Sequence, residues 1–224
     1  MVEVVYIPDV VNADGLGVEV GCMCSLSSCE CVRRGVPVFV DVGLAGARFG
    51  VDFGRYIRLV QRVSAVAGDV YAVVPDVFCD VEATVRNWKR WARQVGRHAK
   101  TVLVLQRFYE PHELEKYRDI IQDAWMAALP SRRHCDVYCL ERPRLCAERV
   151  ERALRVLRGV EVHLMGPPAS VLRALGGVLN DVKSIDTSAY RKPGWRIATR
   201  GEDKTEYLAV WLRRWNTSRK PAKV

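Results

Sequence analysis

The sequence predicts one α/β domain of the (β/α)8, TIM-barrel-like class, complete or in a reduced or irregular form. Three observations carry this prediction. Short apolar runs alternate with amphipathic helical stretches, the length of 224 residues suits one large barrel domain, and acidic or amide residues recur where the apolar runs end. The domain is expected over residues 1–216, followed by a basic tail at 217–224.

Strands are expected at Val2–Ile7, Val36–Asp41, Val70–Pro75, Thr101–Gln106, Asp136–Leu140, Val160–Met165 and Val182–Asp186. Each is short, rich in β-branched residues and apolar nearly throughout, as a parallel strand covered on both faces should be. A barrel needs an eighth, for which Val18–Val20 and Arg196–Thr199 are the candidates; an open doubly wound sheet is the alternative. Helices are expected at Phe53–Val66, Asp80–Val95, Pro111–Leu129, Leu145–Leu157, Pro168–Leu179 and Lys204–Trp215. Asp52 is placed to cap the first of these, and Pro111 occupies a first turn, where a missing N–H costs nothing.

Eight cysteines are many for an intracellular chain. Cys22, Cys24, Cys29 and Cys31 fall in a segment, Gly21–Arg34, that reads as an insertion after the first strand. Thiols this close suit a pair of disulfides or a structural zinc ion, with free thiols as the third alternative, and abundant Val, Arg and Glu with little Gln suggest a thermophile, in which intracellular disulfides occur. Cys79, Cys135, Cys139 and Cys146 read as buried apolar residues.

The formal net charge is +9 and charged residues make up 27%. A basic balance favours a polyanionic partner, because lysines and arginines release counterions from nucleic acid. No apolar run approaches the roughly 18–20 residues that cross a bilayer, and the start MVEVVYIPDV does not read as a secretory signal. A cytoplasmic location is therefore expected, without a membrane partner.

Polar residues fall at the strand ends. Asp41, Asp76, Gln106, Glu141, Met165-Gly166 and Asp186 close successive expected strands, and barrel sites are built there from several strands at once. One aspartate after a strand is usually a helix cap or a turn residue. Several converging carboxylates would instead perturb one another's protonation, which suits acid–base or nucleophilic chemistry.

These residues resemble the motifs of the tRNA-guanine transglycosylase superfamily, over about Val36 to Arg196. Phe39-Val-Asp41-Val-Gly43 is similar to its strand-end Asp-Ser-Gly-Gly-Phe motif. Val74-Pro-Asp76, followed by Glu82–Trp88, resembles its aspartate-bearing strand and arginine-bearing helix. Val104-Leu-Gln106 resembles Val-Gln-Gly, His163-Leu-Met165-Gly166 resembles Leu-Met-Gly, and Ser184-Ile-Asp186-Thr-Ser188 stands where that family carries its nucleophile. The style is that of short phage and archaeal paralogues, some of which insert 7-deazaguanine bases into DNA.

The resemblance implies guanine or 7-deazaguanine glycosyl transfer on tRNA or DNA, with no cofactor required. Asp186 would be the nucleophile and Asp76 the general acid or base. Asp41, Gly43, Gln106, Glu141, Met165, Gly166 and Trp195 would bind the base or ribose, and Arg191, Lys192 and Arg196 the flanking phosphates. Departures are the Gly43-Leu-Ala-Gly46 stretch, Arg107 in place of a glycine, and the lack of Cys or His after Asp186, which removes the family's zinc site. Two further classes stay open: a catalytically silent nucleic-acid- or partner-binding barrel of viral or archaeal origin, and a metal-dependent hydrolase. His98, His112 and His134 read as surface residues, His163 as a core or pocket histidine, and Trp88, Trp91 and Trp125 as helix residues packed on the barrel.

Overall fold

The computed structural model describes residues 2–8, 14–43, 50–187, 208–209 and 211–212. Eight parallel strands close into a barrel: β1 (Val4–Ile7), β2 (Glu19–Ser25), β3 (Val38–Asp41), β4 (Val70–Val73), β5 (Lys100–Val104), β6 (Met126–Pro130), β7 (Val162–Met165) and β8 (Ser184–Asp186). The ring is shut by β1 pairing with β8, Tyr6 lying beside Asp186. Helices cover it outside: α1 (Phe53–Ser64), α2 (Val81–Val95), α3 (Pro111–Lys116), α4 (Arg118–Asp123), α5 (Pro143–Val156) and α6 (Ala169–Leu175).

The strand period of two sorts the side chains. Val4, Tyr6, Phe39, Tyr71, Val73, Val102, Val104, Met126 and Ala128 fill the barrel interior. Their neighbours along each strand, such as Val5, Val40, Ala72 and Leu103, face the helices in a second, larger core. Gly21 lies directly beside Tyr6. A Cβ there would overlap the Tyr6 ring and lie 2.9 Å from the Pro37 carbonyl oxygen, so only glycine admits the tyrosine. The helices start as their sequences dictate. Asp52 accepts from the Arg55 N–H at 3.0 Å and Asp80 from the Ala83 N–H at 2.8 Å, each satisfying an amide that the first helical turn leaves without a partner.

Six expected strands are found in place, and the Val18–Val20 candidate overlaps the start of β2, the eighth. The Asp136–Leu140 expectation is wrong. Those residues belong to a hairpin held by a lone Arg133–Tyr138 bridge, and the true sixth strand overlaps the end of the expected helix Pro111–Leu129. The reason is compositional: Met126-Ala-Ala-Leu is made of helix formers, and burial on both barrel faces overrode that preference. The same stretch holds two short helices, α3 and α4, that meet at Tyr117. The Cys-rich segment is not a separate insertion at its start, because Cys22 and Cys24 lie within β2. Arg196–Thr199 and the tail 217–224 lie outside the described residues. Of the expected Lys204–Trp215 helix, Leu208, Trp211 and Leu212 are described and buried. No helix among the described residues is long and apolar enough to cross a membrane.

The cysteines pair as Cys22–Cys31, Cys24–Cys29 and Cys79–Cys135. The Cys22–Cys31 group is thus not a zinc site, since bonded sulfurs are no longer thiolates. Cys79 and Cys135 are a cross-link between two loops and not apolar filling, whereas Cys139 and Cys146 are buried free thiols. His134, expected at the surface, is 1% exposed. Trp88 packs under α2 as expected and Trp91 stacks on Phe53, but Trp125 precedes β6 and is 61% exposed.

Candidate active site

A cavity of about 420 Å³ opens at the carboxyl ends of the strands, within the roughly 300–1,000 Å³ typical of small-molecule sites. Asp41, Gly43, Asp76, Gln106, Gly166 and Asp186 all line it, with Met165 beside them. The strand period explains why. Asp41 follows Phe39 on the inward face of β3, and Asp186 follows Ser184 on the inward face of β8, so each carboxylate stands one layer above the packed interior.

Asp186 is held most firmly. Its Oδ1 accepts from the Gly166 N–H at 2.8 Å and lies 3.0 Å from His163 Nε2. A carboxylate oxygen only accepts, so the network assigns the ring proton to Nε2 and leaves Nδ1, 2.9 Å from Ser184 Oγ, to take the serine hydroxyl hydrogen. The His163 ring is fully buried and stacks on Phe39 with centroids 4.2 Å apart. Gly166 has φ +59°, a conformation that side-chain-bearing residues adopt only under strain, and a Cβ on it would just touch Arg132 at 3.4 Å. A residue with a side chain would therefore disturb the loop that supplies this N–H.

Asp76 stands on the segment after β4, which three side chains pin. The Val77 N–H donates to Thr84 Oγ1 at 2.9 Å, Asn87 Nδ2 donates to the Pro75 carbonyl at 3.0 Å, and Gln106 Nε2 donates to Asp76 Oδ2. The other end of the Gln106 amide, Oε1, accepts from the Cys79 N–H at 3.1 Å. The side chain expected to read a base is therefore engaged in orienting Asp76 and the Cys79 turn. Cys79 sits at φ +62°, the one non-glycine residue with positive φ among those described, and its disulfide to Cys135 ties this turn to the hairpin after β6.

Burial raises the Asp76 carboxyl to about 6, against the opposing effect of hydrogen bonds from its backbone and Gln106. Asp41 is pushed higher, to about 7, first by burial and then by the charges of Asp76 and Asp186; N–H groups of Gly43 and Val42 partly offset this. Beneath them the Tyr56 hydroxyl donates to the carbonyls of Val73 and Val40, tying the ends of β3 and β4 together.

The opposite wall is cationic and aromatic. Arg132, Arg133, Phe78 and Tyr138 line the cavity, with the Arg133 guanidinium 5.6 Å from the centre of the Phe78 ring. The sequence reading missed these residues because it placed β6 inside a helix; a strand ending at Pro130 puts Arg132 and Arg133 at a strand end like the aspartates. Glu141 does not join the site: it is exposed in the turn before α5, because the strand it was thought to end does not exist. Arg107, exposed and facing Glu110, does not fill the cavity. Trp195, Arg191, Lys192 and Arg196 lie outside the described residues. Elsewhere, His134, Cys139 and Cys146 form a buried cluster whose ligand atoms lie within 4.8 Å of one another.

Fold and site together define a (β/α)8 barrel with an acidic, arginine-flanked pocket at the catalytic end of such barrels. No protein-family profile matches the chain, and no curated protein matches it. Among solved structures it is similar to β-methylaspartase from Clostridium tetanomorphum in a magnesium complex, at 10% identity and TM-score 0.51, covering 96% of this chain and 58% of that one. It is also similar to the carboxyl transferase domain of Rhizobium etli pyruvate carboxylase with pyruvate, at 10% identity and TM-score 0.48, covering 97% and 46%. The chain thus spans less than two thirds of these structures. Neither is a tRNA-guanine transglycosylase, and at 10% identity the likeness to β-methylaspartase shows the barrel alone.

Proposed function

We propose that this chain exchanges a purine-type base on a nucleotide of tRNA or DNA, through a covalent glycosyl–aspartate intermediate on Asp186. The observation that carries the reading is the unequal treatment of two carboxylates in one cavity. Asp186 is gripped through a single oxygen by Gly166 and His163, which leaves Oδ2 for an anomeric carbon. Asp76, buried and raised to about 6, is poised to pass a proton near neutral pH.

In the first step Asp186 Oδ2 bonds to C1′ as the bond from C1′ to the base nitrogen breaks, and Asp76 delivers a proton to the departing base. In the second, the incoming base gives a proton to Asp76 and displaces Asp186 from C1′. A guanine-like edge presents N–H donors, which carboxylates such as Asp41 accept. Arg132 and Arg133 offer a wall for phosphate, Phe78 and Tyr138 offer surfaces for stacking, and the target base would leave its stack to enter. Among the described residues the pocket is open and Arg107 stays out of it, which favours this reading over a silent binding barrel; Leu44-Ala45-Gly46 of the loop after Gly43 lie outside the described residues. The chemical step draws on no metal.

The test is exchange of radiolabelled guanine into tRNA and into DNA by the native chain and by Asp186→Asn. Exchange by the native chain, with a denaturation-resistant polymer adduct that the variant cannot form, is the expected result. Salt-sensitive binding of both polymers with no exchange into either would overturn the reading and leave a nucleic-acid-binding barrel.

A further inference from the structure

We propose that His134, Cys139 and Cys146 hold a thiophilic d10 metal ion, zinc(II) or copper(I), that staples the hairpin after β6 to helix α5. This inference is independent of the chemistry proposed for the pocket.

The hairpin is closed by backbone bonds from the His134 N–H to the Val137 carbonyl at 2.9 Å and from the Cys139 N–H to the Arg132 carbonyl at 3.1 Å. Its two faces differ. Arg132, Arg133 and Tyr138 are exposed and line the cavity. His134 and Cys139 are buried and meet Cys146, which belongs to the first turn of α5. Phe108 packs edge-on against the His134 ring at 4.8 Å and Tyr109 stacks on it at 5.6 Å, so the cluster is walled by aromatic rings.

Donor type and spacing fit such an ion. Two thiols and an imidazole are a soft set that selects zinc or copper(I) over magnesium or calcium. Zinc–sulfur bonds of about 2.3 Å and zinc–nitrogen bonds of about 2.0–2.1 Å set tetrahedral edges of roughly 3.5 Å from nitrogen to sulfur and roughly 3.8 Å between sulfurs. Cys146 Sγ lies 3.6 Å from His134 Nδ1, and all three donors lie within 4.8 Å of one another.

The tautomer fits as well. Arg149 Nη1 stands 3.4 Å from Nδ1, and a guanidinium can only donate. Nδ1 therefore presents its lone pair, the form that binds metal. Arg149 does not need that nitrogen, because Asp136 accepts from both arms of its guanidinium at 2.7 and 2.8 Å. Two thiolates would neutralise a divalent zinc, leaving the Arg149–Asp136 pair balanced beside it. The other six cysteines are all bonded to one another, while these two, close enough to contact, are free. With Cys79–Cys135 anchoring its other side, the arginine-bearing hairpin would be fixed at both flanks.

The full chain, purified without reductant under inert gas so that its disulfides persist, is incubated with zinc(II) or, in a separate arm, with copper(I). Each sample is then desalted and its metal content measured. One equivalent retained by the native chain and lost in Cys139→Ser and Cys146→Ser is the expected result. Zinc alone would indicate a four-coordinate ion completed by water, and preference for copper a three-coordinate one. Either supports the site. Because those variants can fail to fold, cobalt(II) is also titrated into the native chain, where a thiolate-to-cobalt charge-transfer band should saturate at one equivalent. No retained metal in either arm and no band, with Cys139 and Cys146 recovered as free thiols or joined in a fourth disulfide, would overturn the proposal.

Discussion

The two ends of this barrel treat charge in opposite ways. At the amino ends of the strands, opposite charges meet at the surface: Lys100 pairs with Asp69 at 2.7 Å, and Lys183 lies between Glu3 and Glu161. At the carboxyl ends, three carboxylates share one cavity, with Arg132 and Arg133 on its far wall, and two of the three are held well above the ordinary carboxylate range. The lower end is arranged as stability alone would arrange it. The upper end is not, and concentrated like charge in a cleft is what a barrel accepts where it does chemistry.

The sharpest way to break the comparison is at Asp186. Asp186→Asn keeps the shape and both neighbours but removes the nucleophile, so exchange should fall by at least about 10³-fold while the unfolding midpoint moves little. A loss of stability comparable to the loss of activity would make Asp186 a structural residue instead. This is the largest effect expected.

Asp41→Asn should act in the other direction, on stability. Its folded pKa, about 7, lies above the unfolded value of 3.8, so the folded state binds the extra proton between those limits. Stability therefore falls as pH rises from about 4 to about 7 and stays lowered above that, by the sign of the linkage. Removing the charge should stabilise the chain by about 4 kcal/mol at pH 8 and by nothing at pH 3, read from urea midpoints at the two pH values. An effect that does not depend on pH would mean that Asp41 is not under strain.

How much of this was legible differs between the two walls of the site. Asp41, Asp76 and Gln106 could be placed from sequence because each follows a Val-rich run, whose β-branched residues identify a buried parallel strand directly, and Asp186 closes a shorter stretch marked by Val182 and Ile185. Arg132, Arg133 and Tyr138 could not, because Met126-Ala-Ala-Leu-Pro carries no such mark and only closure of the barrel makes it a strand. Glu141 was misplaced by the same error. The grip of His163 on Asp186 was half legible, since alternation puts residue 163 on the inward face but says nothing of what it meets. The Cys79–Cys135 and His134–Cys139–Cys146 groups join residues from separate loops and helices, and no sequence spacing encodes that.

The interior below the site offers a smaller test. Gly21→Ala places a methyl group where the Tyr6 ring and the Pro37 carbonyl already stand. Two rigid neighbours leave it little room, so overpacking should cost about 1–3 kcal/mol in denaturant unfolding, without pH dependence. A neutral result would mean that Tyr6 can move aside without loss, and the packed layer beneath the carboxylates would then not be what holds β1 and β2 in register.

The smallest effect is expected at the paired end. Lys100→Met removes the contact with Asp69, but the pair is a third to a half exposed and screened by solvent. The methionine keeps an apolar stem near Tyr71 and Trp125, over whose rings the lysine head now lies at 4.9 and 5.7 Å. Loss of the ion pair should therefore cost no more than about 0.5–1 kcal/mol, and the difference from the native chain should shrink further in high salt. The contrast with Asp41 is then direct. Removing a charge at the lower end weakens the fold slightly and in a salt-dependent way, whereas removing one at the upper end strengthens it substantially and in a pH-dependent way. If both substitutions destabilised the chain to the same degree, the two ends would be electrostatically alike, and the acidic cavity would lose its claim to be a place where stability has been given up for chemistry.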